Sequence, residues 1–187
     1  MTRKEMREIF AIMLLAYPNA EVFKGGIQKL GPTIELWTTA LPEVDSWTGQ
    51  RAVMKLVREC KYPPTIAEFR EKAEAVNAEI AEKSRLAWEG LRTLMRLADL
   101  SPEEAVNHAS TGTFTRQVVA HMGGPDKLIK KVEHTMGSGR KVTLDEYAAD
   151  EFRAAYEAMV RGEPPLPGAP KQRGLDPGAV KQIGGRK

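Results

Sequence analysis

Apolar side chains recur at intervals of three and four over most of the first hundred residues, the period of a helix with one buried face. Met6, Ile9, Phe10, Met13, Leu14 and Tyr17 form the first stripe. They predict a helix over about residues 2–16, stopped by Pro18 and Asn19. Gly25 and Gly26 mark a loop, and Ile27–Leu30 reads as a short helical turn. Gly31-Pro32 then opens a second helix through Ile34, Trp37 and Leu41, which Pro42 ends. A third helix is expected from about Glu43 to Cys60, with Ala52, Val53, Leu56, Val57 and Cys60 facing inward and Gly49 weakening its start.

Lys61-Tyr62-Pro63-Pro64-Thr65 reads as a rigid corner, because proline fixes its own φ and pushes the preceding residue to extended backbone. Thr65 and Glu68 have the spacing of a capping box and start a long helix. Its stripe runs through Ile66, Phe69, Ala73, Val76 and Ile80 and resumes at Ala87, Leu91, Leu94 and Ala98. The stretch Glu79–Arg85 is mostly polar. Continued to Asp99, such a helix would be about 50 Å long at 1.5 Å per residue, a strut between two small helical domains.

Ser101-Pro102-Glu103-Glu104 is a cap, a first-turn proline and a capping acid. Thr113–Met122 reads as a helix ended by Gly123-Gly124, and Pro125–Thr135 as another with Leu128, Ile129 and Val132 on its apolar face. Gly137-Ser138-Gly139 is a loop. Thr143 and Glu146 are spaced as a further capping box, with Leu144, Tyr147, Ala148, Phe152, Ala155, Tyr156 and Met159 lining a terminal helix. After Gly162 the pattern collapses into proline and glycine, and the tail is expected to be disordered when alone. The expected fold is therefore all-α, without strands: an N-terminal bundle (1–75), a connecting helix (76–99), a C-terminal helical domain (100–162) and a tail (163–187).

Composition changes the picture in two ways. The chain of 187 residues carries a net charge of +3, but five basic residues against two acids place that excess in 163–187. Residues 1–162 balance at 23 against 23, so the basic isoelectric point is no nucleic-acid signature, and the body is a poor duplex binder by bulk electrostatics. A local patch stays possible. The single cysteine, Cys60, excludes an internal disulfide framework and suits a reducing cytoplasm. The longest apolar run, Ile9–Ala16, is too short to span a bilayer, and Glu5 and Glu8 argue against a targeting peptide.

Candidate chemistry is sparse. No Gly-x-x-x-x-Gly-Lys-Ser/Thr loop is present to cradle phosphates. His108, His121 and His134, spaced by thirteen, lack the close pairing of metal ligands and read as surface or half-buried helix residues. Cys60 reads as a small core residue. Glu68, Glu104 and Glu146 are explained by cap positions. Trp37, Trp88, Phe69, Phe152 and Tyr156 are first of all core aromatics, whereas Trp47 falls off its stripe among Asp45, Ser46, Thr48 and Gly49 and is expected to be exposed. Neither catalytic residues nor a cofactor or metal site is assigned.

Three segments carry a family likeness: Ala16-Tyr17-Pro18 after the first helix, Glu35-Leu36-Trp37 in the second, and Cys60-Lys61-Tyr62-Pro63-Pro64-Thr65-Ile66-Ala67-Glu68-Phe69-Arg70. In order and spacing, residues 3–75 resemble the small phage helicase loader/inhibitor family, non-ATPase type, whose aromatic-Pro-Pro-Thr corner this sequence matches. Tyr17, Pro18, Trp37, Tyr62, Pro63, Pro64, Thr65 and Glu68 are its motif positions here. The second half is more loosely similar to carboxy-terminal regions of related phage replication proteins, through Trp88, Phe114, Val118-Val119, Met122-Gly123-Gly124, Phe152 and Tyr156. Gly25, Gly26 and Gly31-Pro32 depart from the family by interrupting a cleaner helix.

The resemblance implies a protein of the infected bacterial cytoplasm that binds a hexameric DnaB-type helicase, holds it inactive and delivers it to a phage origin-binding initiator. Contact with DNA would be indirect or weak, and membrane contact is not expected. Candidate partner contacts are Trp47, Lys130, Lys131, Phe152, Arg153 and Tyr156, with Leu166, Leu175, Val180 and Ile183 in the tail. Two other readings are a DNA-binding replication or regulatory protein, with a helix of the second half in a groove, and a helical enzyme with a cryptic site.

Overall fold

In a computed structural model, the chain divides into two compact units, Met1–Leu86 and Ala87–Lys187. The structure describes residues 1–109 and 112–164. The first unit holds α1 (Arg3–Ala16), α2 (Gly31–Ala40), α3 (Ser46–Glu59) and the first part of α4 (Ile66–Leu97), with 3₁₀ turns at Glu21–Phe23 and Ile27–Leu30. The division falls inside α4.

Helix starts in this unit are chemically specified. Thr2 and Glu5 form a capping box on α1, satisfying two otherwise orphaned amides. Asp45, not Glu43, starts α3 by accepting from the Thr48 N–H at 2.9 Å. Thr65 and Glu68 form the expected box on α4, at 2.7 Å and 3.3 Å. The α1 stripe packs against α2 and α3, and Met6, Ile9, Phe10, Met13, Ile34, Leu56 and Phe69 join one buried cluster. At its centre Phe10, Trp37 and Phe69 stack edge to face, with ring centroids 5.2 and 5.5 Å apart. Gly49 is buried where α3 meets Met1 and Ile9, so its small size serves close approach as well as costing helix propensity. Cys60 is the residue after α3, extended and half-buried against the cluster.

The second unit holds the end of α4, α5 (Pro102–His108), α6 (Gly112–Met122), a 3₁₀ turn at Pro125–Leu128, β1 (Ile129–Thr135), β2 (Lys141–Tyr147) and α7 (Ala149–Arg161). The Ser101–Glu104 box caps α5, and Gly162 closes α7 in the left-handed conformation at φ 73°. Trp88, Leu91, Val118, Leu128, Phe152 and Ala155 are among its most deeply buried apolar residues.

The two strands correct the all-helical expectation. Residues 129–135 and 141–147 pair antiparallel, with Val132 opposite Leu144 and Lys130 opposite Glu146. Ile129 and Val132 have helical spacing, but the two segments also carry β-branched residues, which favour a pleated, half-buried surface. Gly137-Ser138-Gly139 then acts as a hairpin connection. Thr143 and Glu146 fall on opposite faces of β2, so they form no capping box, and Glu146 meets His134 at 2.6 Å instead. The terminal helix begins at Ala149, after these residues. The C-terminal tail expectation, with Leu166, Leu175, Val180 and Ile183, lies outside the described residues.

One surface ion network ties α3 to α4. Glu79 accepts from both Lys55 and Lys83 at 2.6 Å, and these hydrogen bonds hold its carboxyl down to about 2 from the usual 4.5. A depressed carboxylate contributes stability above its unfolded value and loses it as pH falls through the folded one. Glu79→Gln is therefore expected to flatten the acid limb of the pH–stability curve between about 4.5 and about 2, checked by thermal melts of both chains across that window.

Candidate partner-binding cleft

The first family-like segment ends α1, and the third leaves α3. Their meeting is set by one side chain. The Tyr17 ring is buried with 8% of its surface exposed, and its hydroxyl donates to the carbonyls of Cys60 at 3.1 Å and Leu56 at 3.4 Å. Burial first, and then the neighbouring Cys60, push that hydroxyl above its ordinary pKa, so it stays a donor at neutral pH. The last turn of α3 is thereby fastened to the end of α1.

The proline corner then turns the chain outward. Pro64 is buried and Pro63 half-buried, while Tyr62 stands 70% exposed with the Lys61 ammonium 5.6 Å from its ring centroid. Between the two segments lies a cleft of about 660 Å³. Tyr17, Pro18, Tyr62 and Pro63 line it together with Val22, Lys24 and Lys61. Val22 is an exposed apolar residue, and Lys24 is paired with Glu21 at 3.0 Å. Neither is legible in the sequence, because the loop after Pro18 has no periodicity; two glycines are its only signal. The cleft offers an exposed aromatic face, proline rings and cations, with no nucleophile–base pair among its lining residues. Such a surface suits protein recognition, where an aromatic anchor supplies contact area at low entropic cost.

The remaining candidates fall elsewhere. Trp37 lies in the core, and Thr65 and Glu68 serve as the cap that sets the start of α4. Trp47 is half-buried on α3 and stacks under the Arg51 guanidinium, 5.1 Å from its centroid. In the second unit, Lys130 and Lys131 are exposed on β1, with Lys130 paired to Glu151 of α7. Phe152 is fully buried and Tyr156 is 8% exposed, in an aromatic cluster with Trp88 and Phe114. Truncating a buried phenylalanine costs about 3–5 kcal/mol of folding energy, so Phe152 first serves the core. Arg153 is half-buried, 3.6 Å from Asp150. His108 is exposed on α5, His121 buried on α6 and His134 paired on β1; among the described residues no group of three or more His, Cys, Asp or Glu is placed to hold a metal.

The first unit is thus a small helical domain whose distinguishing feature is an open aromatic–proline cleft. Residues 1–70 match the family model for the N-terminal domain of the gp39-type phage proteins, and this part of the chain belongs to that family, the phage helicase loaders and inhibitors. The match spans 70 of 187 residues and places the chain in phage DNA replication, with a helicase-related role. No curated protein and no solved structure matches the chain. Among the described residues no helix is long and apolar enough to cross a membrane.

The two tyrosines of the cleft separate fold from recognition. Tyr17→Phe removes a buried hydrogen bond and is expected to cost about 1 kcal/mol. Tyr62→Ala, at an exposed position, is expected to stay within about 0.5 kcal/mol of the parent. Urea unfolding of the full-length variants checks both values.

Proposed function

We propose that this chain is a phage helicase loader without nucleotide chemistry of its own. It binds the hexameric DnaB-type helicase in the cytoplasm of the infected host, holds it inactive and hands it to the origin-bound initiator. The match of residues 1–70 to the N-terminal domain of the loader/inhibitor family carries this reading. The absence of a phosphate-binding loop from the sequence and the protein-binding character of the cleft support it.

A loader that hydrolyses nothing acts only through differential affinity. A ligand shifts an equilibrium between closed and opened rings by the difference in its binding to the two. Moving such an equilibrium from about 1:99 to 99:1 takes roughly 5.5 kcal/mol of difference, within reach of several copies acting on one ring. In this scheme the C-terminal domain and tail grip the helicase, the second part of α4 connects, and residues 1–75 with their cleft face the initiator or neighbouring loaders.

Co-elution with a replicative hexamer, of host or phage, is the direct check, alongside the hexamer's ATPase rate. The expected result is a stable complex with suppressed ATPase that is lost when residues 87–187 are deleted. A purified chain that turns over nucleotide by itself, or that ignores every replicative hexamer, would contradict the proposal. If 87–187 proves dispensable, the division of labour between the halves is wrong.

A further inference from the structure

The second unit contains an order of elements that the helicase reading does not use. A seven-residue helix, α5, is followed after three residues by the eleven-residue α6, and the hairpin β1–β2 follows after a short turn. Two helices joined by a turn of three or four residues are the helix-turn-helix unit, whose second helix enters the DNA major groove. A β-ribbon is a second element that reaches duplex DNA. α5 and α6 pack on each other and on the Pro125–Leu128 turn. The Arg116 Nη2 donates to the Asn107 carbonyl at 3.0 Å, joining the second helix to the last turn of the first.

Charge singles out the same region. From Ala105 to Val132 the sequence holds one acid, Asp126, against Arg116, Lys127, Lys130 and Lys131, and α6 contains none. The acids of this unit sit chiefly in the first turn of α5, on β2 and on α7, where Glu146 is met by His134 and Glu151 by Lys130. On α6, Thr115, Val118, Val119 and Met122 are buried, while Arg116, Gln117 and Ala120 are exposed on one face. Arginine and glutamine read base edges in the major groove, and a small residue beside them permits close approach. The hairpin is anchored at its base, where the Ala148 N–H donates to the Leu128 carbonyl at 2.9 Å and both residues are buried. Lys131, Arg140 and Lys141 are exposed along it.

We infer that α6 and the β1–β2 hairpin form a duplex-DNA contact surface, with the Arg116–Gln117–Ala120 face of α6 in the major groove and Lys131 and Arg140 on the phosphate backbone. The inference is independent of the helicase assignment, since it concerns a different ligand and a different face. It also accommodates the balanced charge of the folded body: few phosphates are neutralised, so binding is moderate and its salt dependence shallow.

Fluorescence anisotropy of the full chain on a short labelled random-sequence duplex, titrated with salt, tests it. The parent is expected to bind at low salt. Lys131→Glu should weaken binding about tenfold and lower the magnitude of the salt slope by roughly 0.9, the loss of one phosphate contact. Ala120→Glu, which brings an acid to the groove face, should abolish binding. Two controls keep charge apart from site: Lys4→Glu on α1 and the tail substitutions Lys171→Gln, Arg173→Gln and Lys181→Gln should each change affinity less than Lys131→Glu does. Melts confirm that each variant is folded, and Gln117→Glu replaces Ala120→Glu if the latter is not. No binding by the parent, or binding that follows the tail substitutions and ignores both Lys131 and the α6 variants, overturns the inference. The second pattern would mark the face as a protein contact or as inert.

Discussion

Everything distinctive about the first unit depends on where the chain leaves α3. The Tyr17 hydroxyl holds the Cys60 and Leu56 carbonyls, and two prolines then deny the chain a helical exit. The result is a fixed corner that keeps Tyr62 in solvent beside a cleft while Pro64 stays buried. Tyr62 can be exposed at little conformational cost because the residues on either side are already held. The capping box at Thr65 and Glu68 restarts regular structure immediately after the corner, with the Glu68 carboxyl held below its ordinary value first by the Thr65 amide and then by its hydroxyl.

Where one local signal dominates, the sequence is legible. The α1 stripe, the Pro42 stop, the Thr65 and Ser101 boxes and the Gly123-Gly124 break all appear as elements or element ends. Legibility fails where two signals compete. Ile129 and Val132 satisfy a helical period as well as a strand preference, and the pairing of β1 with β2 is a non-local contact that no single window reports. Thr143 and Glu146 show the same ambiguity: a spacing of three makes a box only if the backbone is already helical. Within the cleft, Tyr17, Pro18, Tyr62 and Pro63 stand out by motif, whereas Val22 and Lys24 are added by the fold of an aperiodic loop. Trp47, off its stripe, belongs in solvent by pattern alone, yet it is half-buried, with the Arg51 guanidinium over its ring.

The two units present different chemistry. The first exposes an aromatic–proline cleft, and its polar surface is organised by pairs such as Lys55–Glu79 and Lys72–Glu59 between α3 and α4. The second buries its aromatics, including Phe152 and Tyr156, and exposes an acid-free helix face and a hairpin carrying Lys131 and Arg140. A protein that brings a ring-shaped motor to DNA needs surfaces for more than one macromolecule, and this distribution supplies them without a catalytic group.

Hydrogen–deuterium exchange of the full chain, alone and then with the replicative hexamer or the origin-binding initiator, tests the assignment of halves most directly. The account expects the hexamer to slow exchange only beyond residue 87, and the initiator to slow it at residues 16–24 and 61–65, around the cleft. Slowing by the hexamer at the cleft, with residues beyond 87 unchanged, would contradict it.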